Sequence, residues 1–172
     1  YTWAGAAHAT VSTRAPSAVV SPRNISLRRG EIVVRAVLPS ATPTTRTLAQ
    51  AIGGSSDRRY LRASPSDVLR GSLKDLDNVT APSALPEDVP IMVSLFWDEG
   101  FGGITAGGEV LATVNYPLAT PYADTHFLGL GADNNIAAQL NGPVESGITF
   151  DRPLTPEERE ELGALDTWEW DR

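Results

Sequence analysis

Residues 91–116 read IMVSLFW, then DEGFGGITAGG, then EVLATVNY. The first run is apolar, rich in β-branched and aromatic residues and too short for a helix. It predicts a strand buried on both faces. The last run alternates apolar with polar residues and stops at Pro117, the pattern of a half-buried strand. The glycine-rich stretch between them is expected to be a long loop, making 91–97 and 109–116 an antiparallel hairpin.

Upstream, residues 31–38 (EIVVRAVL) predict another β-branched strand, stopped by Pro39. Val11, Val19 and Val20 offer shorter strand material. Leu48, Ala51 and Ile52 recur at helical spacing before Gly53-Gly54, so a short helix is expected over 45–52. Residues 66–76 read as a short helix or an irregular segment, and Pro82, Pro86 and Pro90 as a punctuated linker. Short strands are expected near 126–130, 136–140 and 147–150 in an otherwise loop-rich region. Thr155-Pro156-Glu157-Glu158 is a helix start. Thr155 caps, Pro156 suits the first helical position and Glu158 completes a capping box, predicting a helix over 156–163.

Fifteen glycines and thirteen prolines in 172 residues imply many turns and few long helices. The expected fold is all-β: an antiparallel β-sandwich or jelly roll with one or two short helices. Residues 1–120 are assigned to the sandwich and 121–172 to a loop-rich C-terminal extension. The absence of cysteine excludes a disulfide framework and thiolate metal sites. No apolar run approaches the length of a membrane span, so no membrane partner is expected. The chain starts at Tyr1 without a signal-peptide pattern, which suggests cleavage from a precursor or a missing N-terminal part.

The net charge of −7 conceals a split: residues 1–74 carry net +8, leaving −15 for the remainder. The basic part is a candidate surface for nucleic acid or an acidic neighbour. Alternatively the two halves attract each other within one fold. Arg28, Arg29, Arg58, Arg59 and Arg62 are the candidate RNA or intersubunit contacts, the last three being interleaved with Tyr60. Trp3, Trp168 and Trp170 are candidate interface anchors.

Catalytic chemistry finds little support. His8 and His126 are the only histidines, and Gly53-Gly54-Ser55-Ser56 lacks the nucleophile-elbow spacing. A phosphate loop needs Gly-Lys-Ser/Thr, yet the sole lysine is Lys74. The acids at 157–161 read as a solvated helix face near a favourable helix dipole. Asp75, Asp77 and Asn78 offer oxygen ligands for a subunit-bridging calcium, without the glycine an EF-hand needs. No catalytic site, metal or cofactor is therefore expected.

Three stretches carry a resemblance to a known family. They are 30–39 (GEIVVRAVLP), 58–62 (RRYLR), and 91–97 followed by a glycine-rich loop and 108–117 (GEVLATVNYP). Together they resemble the coat jelly roll of small icosahedral positive-strand RNA viruses, of the tombusvirus and bromovirus kind. The resemblance implies a non-enzymatic capsid subunit located in the virion. It implies partners among copies of itself or other capsid chains, with packaged nucleic acid as a further contact. The usual arginine-rich arm is absent. Two other functions fit a β-sandwich: a phage-type decoration or tail protein, and a carbohydrate-binding module. The latter would use Trp97 or the terminal tryptophans as sugar platforms, and in a hydrolase Asp98 would be the carboxylate to test.

Overall fold

A computed structural model describes residues 19–21, 26, 28–39, 44–52, 58–73, 77–117, 127–130 and 144–164. The strands are β1 (Val19–Ser21), β2 (Arg29–Val37), β3 (Arg46–Ile52), β4 (Arg58–Ala63), β5 (Val68–Ser72) and β6 (Asp77–Ala84). They continue as β7 (Pro90–Asp98), β8 (Phe101–Ala106), β9 (Glu109–Asn115), β10 (Phe127–Leu130) and β11 (Val144–Phe150), followed by helix α1 (Pro156–Ala164). One sheet has the order β1-β10-β3-β4-β5-β6 and the other β11-β2-β7-β8-β9. Every pairing is antiparallel. The fold is an antiparallel β-sandwich, with one short helix among the described residues.

Alternation builds the core. Ile32, Val34 and Ala36 of β2 and Val93, Leu95 and Trp97 of β7 point inward from the five-stranded sheet. They meet Leu61, Ala63, Leu69, Leu73 and Val79 from the six-stranded one. Each large side chain so buried contributes about 1.5–3 kcal/mol. Gly71 belongs to this interior: a Cβ there would lie 2.7 Å from side-chain atoms of Ile104, Leu95 and Val79. Only a residue without a side chain lets the two sheets close at that point.

Several expectations about elements are corrected. The segment expected to be helical at 45–52 is strand β3. It pairs with both β10 and β4, and residues 46–51 are buried. Its register shifts between Thr47 and Ala49, so Leu48 is an extra residue in the ladder. A β-bulge of this kind interrupts two-residue alternation, which is how a strand acquired spacing that resembles a helix.

The glycine-rich stretch after β7 is likewise not a long loop. It contains β8, which pairs with β7 on one side and β9 on the other. The two turns are tight, with Glu99 at φ 42° and Gly100 at 95°, then Gly107 at 57° and Gly108 at 89°. Positive φ at both central residues is the signature of two-residue I′ hairpin turns.

Residues 68–72 form a strand rather than a short helix or irregular segment, and Pro82, expected in a linker, lies inside β6. Proline is tolerated there because β6 is an edge strand. Beyond residue 120 the chain supplies β10 to one sheet and β11 to the other. The expected strands near 126–130 and 147–150 correspond to these, while 136–140 lies outside the described residues. Ion pairs join the basic and acidic halves within one fold: Arg29 with Asp98, Arg35 with Glu145, and Glu31 with Arg159.

The helix starts as its sequence predicts. The Glu158 amide donates to Thr155 Oγ1 at 3.3 Å, and the Thr155 amide donates to Glu158 Oε2 at 2.8 Å. Arg152 forks onto the same carboxylate at 2.8 and 2.5 Å. These contacts, the Arg152 hydrogen bond first, lower the Glu158 pKa to about 2. A folded value below the unfolded one means a contribution present above pH ~4.5 and lost as pH falls through about 2. Carbon-detected NMR titration should place the Glu158 carboxyl midpoint near 2; a midpoint at the ordinary glutamate value would show that the Arg152 fork and the Thr155 cap do not hold this carboxylate in solution.

Candidate functional site

The outer face of the six-stranded sheet is unusually polar. Its direction follows from register: Leu61 pairs with inward-facing Gly71 and with Ala49. Their neighbours along each strand therefore point outward. This places two rows across the strands. Thr47, Arg62, Arg70 and Thr80 form one, running through β3, β4, β5 and β6. Gln50, Tyr60 and Ser72 form the other. Adjacent strands lie roughly 4.8 Å apart, so each row is a set of near neighbours.

The chemistry of the face is unfinished. Thr47 is 0% exposed, and Gln50 and Ser72 are each 1% exposed. Even so, Thr47 Oγ1, Gln50 Oε1, Ser72 Oγ and Arg62 Nε find no hydrogen-bond partner. An unsatisfied buried polar group costs about 1–3 kcal/mol, so this face is held at some cost in stability. Arg62 sits over the Tyr60 ring, 4.0 Å from its centroid. Arg70 stands directly opposite Arg62 and is exposed. Among the described residues no carboxylate pairs with either one. Like charges opposite each other on adjacent strands repel. Thr47, Gln50, Tyr60 and Ser72 are buried, so the face presents to solvent the half-buried Arg62 guanidinium, the exposed Arg70 guanidinium and the exposed Thr80 hydroxyl. Such a set suits an anionic, hydroxyl-rich ligand, with a carboxylate between the arginines.

The sequence brought attention to five arginines, and the structure separates them. Arg62 belongs to this face. Arg59 does not: it is 0% exposed and turned into the sandwich, between the Trp97 and Tyr116 rings at 5.9 and 5.4 Å. Its expected role at a nucleic-acid or subunit surface is corrected, because inward alternation with Leu61 and Ala63 removes it from any surface. Arg28 and Arg29 are exposed at the start of β2, Arg29 lying 3.8 Å from Asp98. The side chain of Arg58 lies outside the described residues, as do Trp3, Trp168, Trp170, His8, His126 and Asp75. Arg46 turns inward like Arg59, bonded to the Pro39 and Ser64 carbonyls and paired with Asp67. Burial lowers its pKa, against the pull of Glu87.

Trp97 is 0% exposed, with its indole N–H donating to the Ser26 carbonyl at 3.0 Å. It cannot stack on a sugar, and that expectation is corrected too. Thr47, Gln50, Arg70 and Ser72 were not singled out from sequence. The available signal was the alternation of Arg70 and Ser72 with Leu69 and Gly71. Among the described residues no group of three acidic or histidine side chains is placed to hold a metal ion.

No protein-family model matches the chain, and no curated protein matches it in sequence. Solved structures share its fold. The CBM40 module of the Ruminococcus gnavus IT-sialidase bound to α2,3 sialyllactose aligns at TM-score 0.65 and 17% identity, over 81% of this chain and 84% of that one. The leech intramolecular trans-sialidase aligns at 0.65 and 17%, covering 85% of this chain but 25% of that one. Trypanosoma rangeli sialidase aligns at 0.65 and 14%, over 80% of this chain and 23% of the enzyme. The chain thus has the β-sandwich architecture of sialidase CBM40 modules, and it spans about a quarter of the whole enzymes.

The expectation of a capsid subunit located in a virion is corrected by this finding. The structures named above that share the fold are a sialidase module and sialidases, not coat proteins. The strand pattern read as a coat jelly roll is equally the pattern of this sandwich.

Proposed function

We propose that this chain is a non-catalytic carbohydrate-binding module for acidic oligosaccharides, with its ligand on the outer face of the six-stranded sheet. The observation that carries the reading is that the guanidiniums of half-buried Arg62 and exposed Arg70 stand opposite each other on adjacent strands, with no carboxylate paired to either among the described residues. A neutral sugar would leave the facing charges unanswered; a carboxylated one neutralises them. The fold neighbour solved with α2,3 sialyllactose supports a sialylated glycan as the first ligand to test.

Titration calorimetry with α2,3-sialyllactose, and with lactose as the neutral control, examines this directly. Saturable binding of the sialylated sugar alone is expected, weakening as salt rises because the contact is ionic. Absence of binding to every acidic glycan on an array would overturn the reading. Release of free sialic acid from sialyllactose by the purified chain would overturn its non-catalytic part.

A further inference from the structure

We infer that the segment from Asp151 to Ala164, including α1, is a clasp that opens as a unit while the sandwich stays folded. The inference concerns the opposite sheet and is independent of the sugar-binding proposal. Glu31, Val33 and Arg35 point outward from β2, since Ile32, Val34 and Ala36 point into the core. Glu31 is 0% exposed beneath the clasp. Its carboxylate accepts from Ser94 Oγ at 2.5 Å, the Leu154 amide at 2.8 Å, Arg159 Nε at 3.0 Å and a terminal Arg159 nitrogen at 2.9 Å. Thr105 extends the network through Ser94 at 2.6 Å, and the Arg159 guanidinium lies 4.7 Å from the Phe96 ring centroid.

Helices normally dock by an apolar stripe, and α1 has almost none. Arg159 is its buried residue and Leu162 is half-buried. The apolar contact is a small separate cluster of Val33, Met92, Leu154, Phe150 and Leu162, outside the main core. One side chain from the sheet, Glu31, therefore fastens both the loop before the helix and the helix itself. Isolated helices shorter than about 12–15 residues are marginal in water. With nine residues, α1 should melt when it leaves the sheet. Docking and helix formation are then one equilibrium, distinct from unfolding of the sandwich. Opening would uncover Glu31, Ser94, Thr105 and the Val33–Met92 surface.

Hydrogen exchange on the full chain, read by mass spectrometry and NMR, tests the inference. In the wild type, amides 159–164 should exchange at least tenfold faster than those of β2 and β7, through an opening that leaves the strands protected. In Glu31→Gln, which strands the guanidinium of Arg159, exchange of 154–164 should rise about a hundredfold with β2 and β7 unchanged. Arg159→Lys keeps the charge without the fork and should fall between the two. Equal acceleration of β2 and β7 in either variant would overturn the clasp, showing that the network holds the whole sandwich. So would wild-type helix amides as protected as those of β7.

Discussion

Replacing Trp97 with alanine should lower the unfolding free energy by about 3–5 kcal/mol, the range for truncating a buried aromatic residue. Trp97 is fully buried and central in its sheet, paired with Gly30 on β2 and Gly102 on β8. The chain makes room for the indole: a Cβ on Gly30 would come within 2.8 Å of its Cζ2 atom. Across the sandwich the Arg59 guanidinium lies over the ring. Truncation therefore removes apolar contact, leaves a cavity and deprives a buried cation of an aromatic neighbour. It also leaves the Ser26 carbonyl without its indole donor. Urea denaturation followed by circular dichroism would measure the loss as a lower midpoint with an unchanged slope. A change below about 1 kcal/mol would show that the site collapses around the missing ring. If the variant folded normally but lost sugar binding, the indole would be a ligand platform and the inward assignment of β7 would be wrong.

The particular residues explain what sequence could and could not reveal. Residues 91–97 were legible as a buried strand because an apolar run that short has few other uses. The Thr155–Glu158 capping box was legible because every contact in it lies within one turn. Strand β8 was hidden by its glycines. Gly102 and Gly103 are there because a Cβ would come within 2.5 Å of the Phe96 carbonyl oxygen and 2.4 Å of the Ala112 carbonyl oxygen. Crowding by neighbouring backbone wrote a loop-like composition into a strand. In β3 the bulge at Leu48 did similar damage to the period.

The candidate face failed to show for a different reason. Thr47, Arg62 and Arg70 are distant in sequence and become neighbours only through strand register. Arg59 and Arg62 look alike in the sequence, yet alternation sends one inward and the other to the outer face of the sheet. The charge split also acquires a local meaning, since the ion pairs of β2 cross between the halves.

Arg62→Ala is expected to reduce affinity for a sialylated oligosaccharide by roughly 10- to 150-fold, the equivalent of losing a hydrogen bond to a charged group. Stability should move little, because two effects oppose each other. The variant loses the stacking of Arg62 on Tyr60, worth about 0.5–1 kcal/mol at a surface. It also relieves the repulsion from Arg70 on the adjacent strand. Arg62→Lys should give an intermediate affinity, since lysine supplies the charge but not the planar fork that grips a carboxylate. Arg70 is more exposed, so its hydrogen bonds compete with water and Arg70→Ala should cost less binding. Calorimetry of the three variants, paired with thermal melts, gives an ordering that a purely structural role would not produce. Affinity should fall from wild type through Arg62→Lys to Arg62→Ala while the melting temperature stays nearly constant. Unchanged binding in both Arg62→Ala and Arg70→Ala would remove the ligand from this face, because no other pair of guanidiniums stands opposite one another among the described strand pairings.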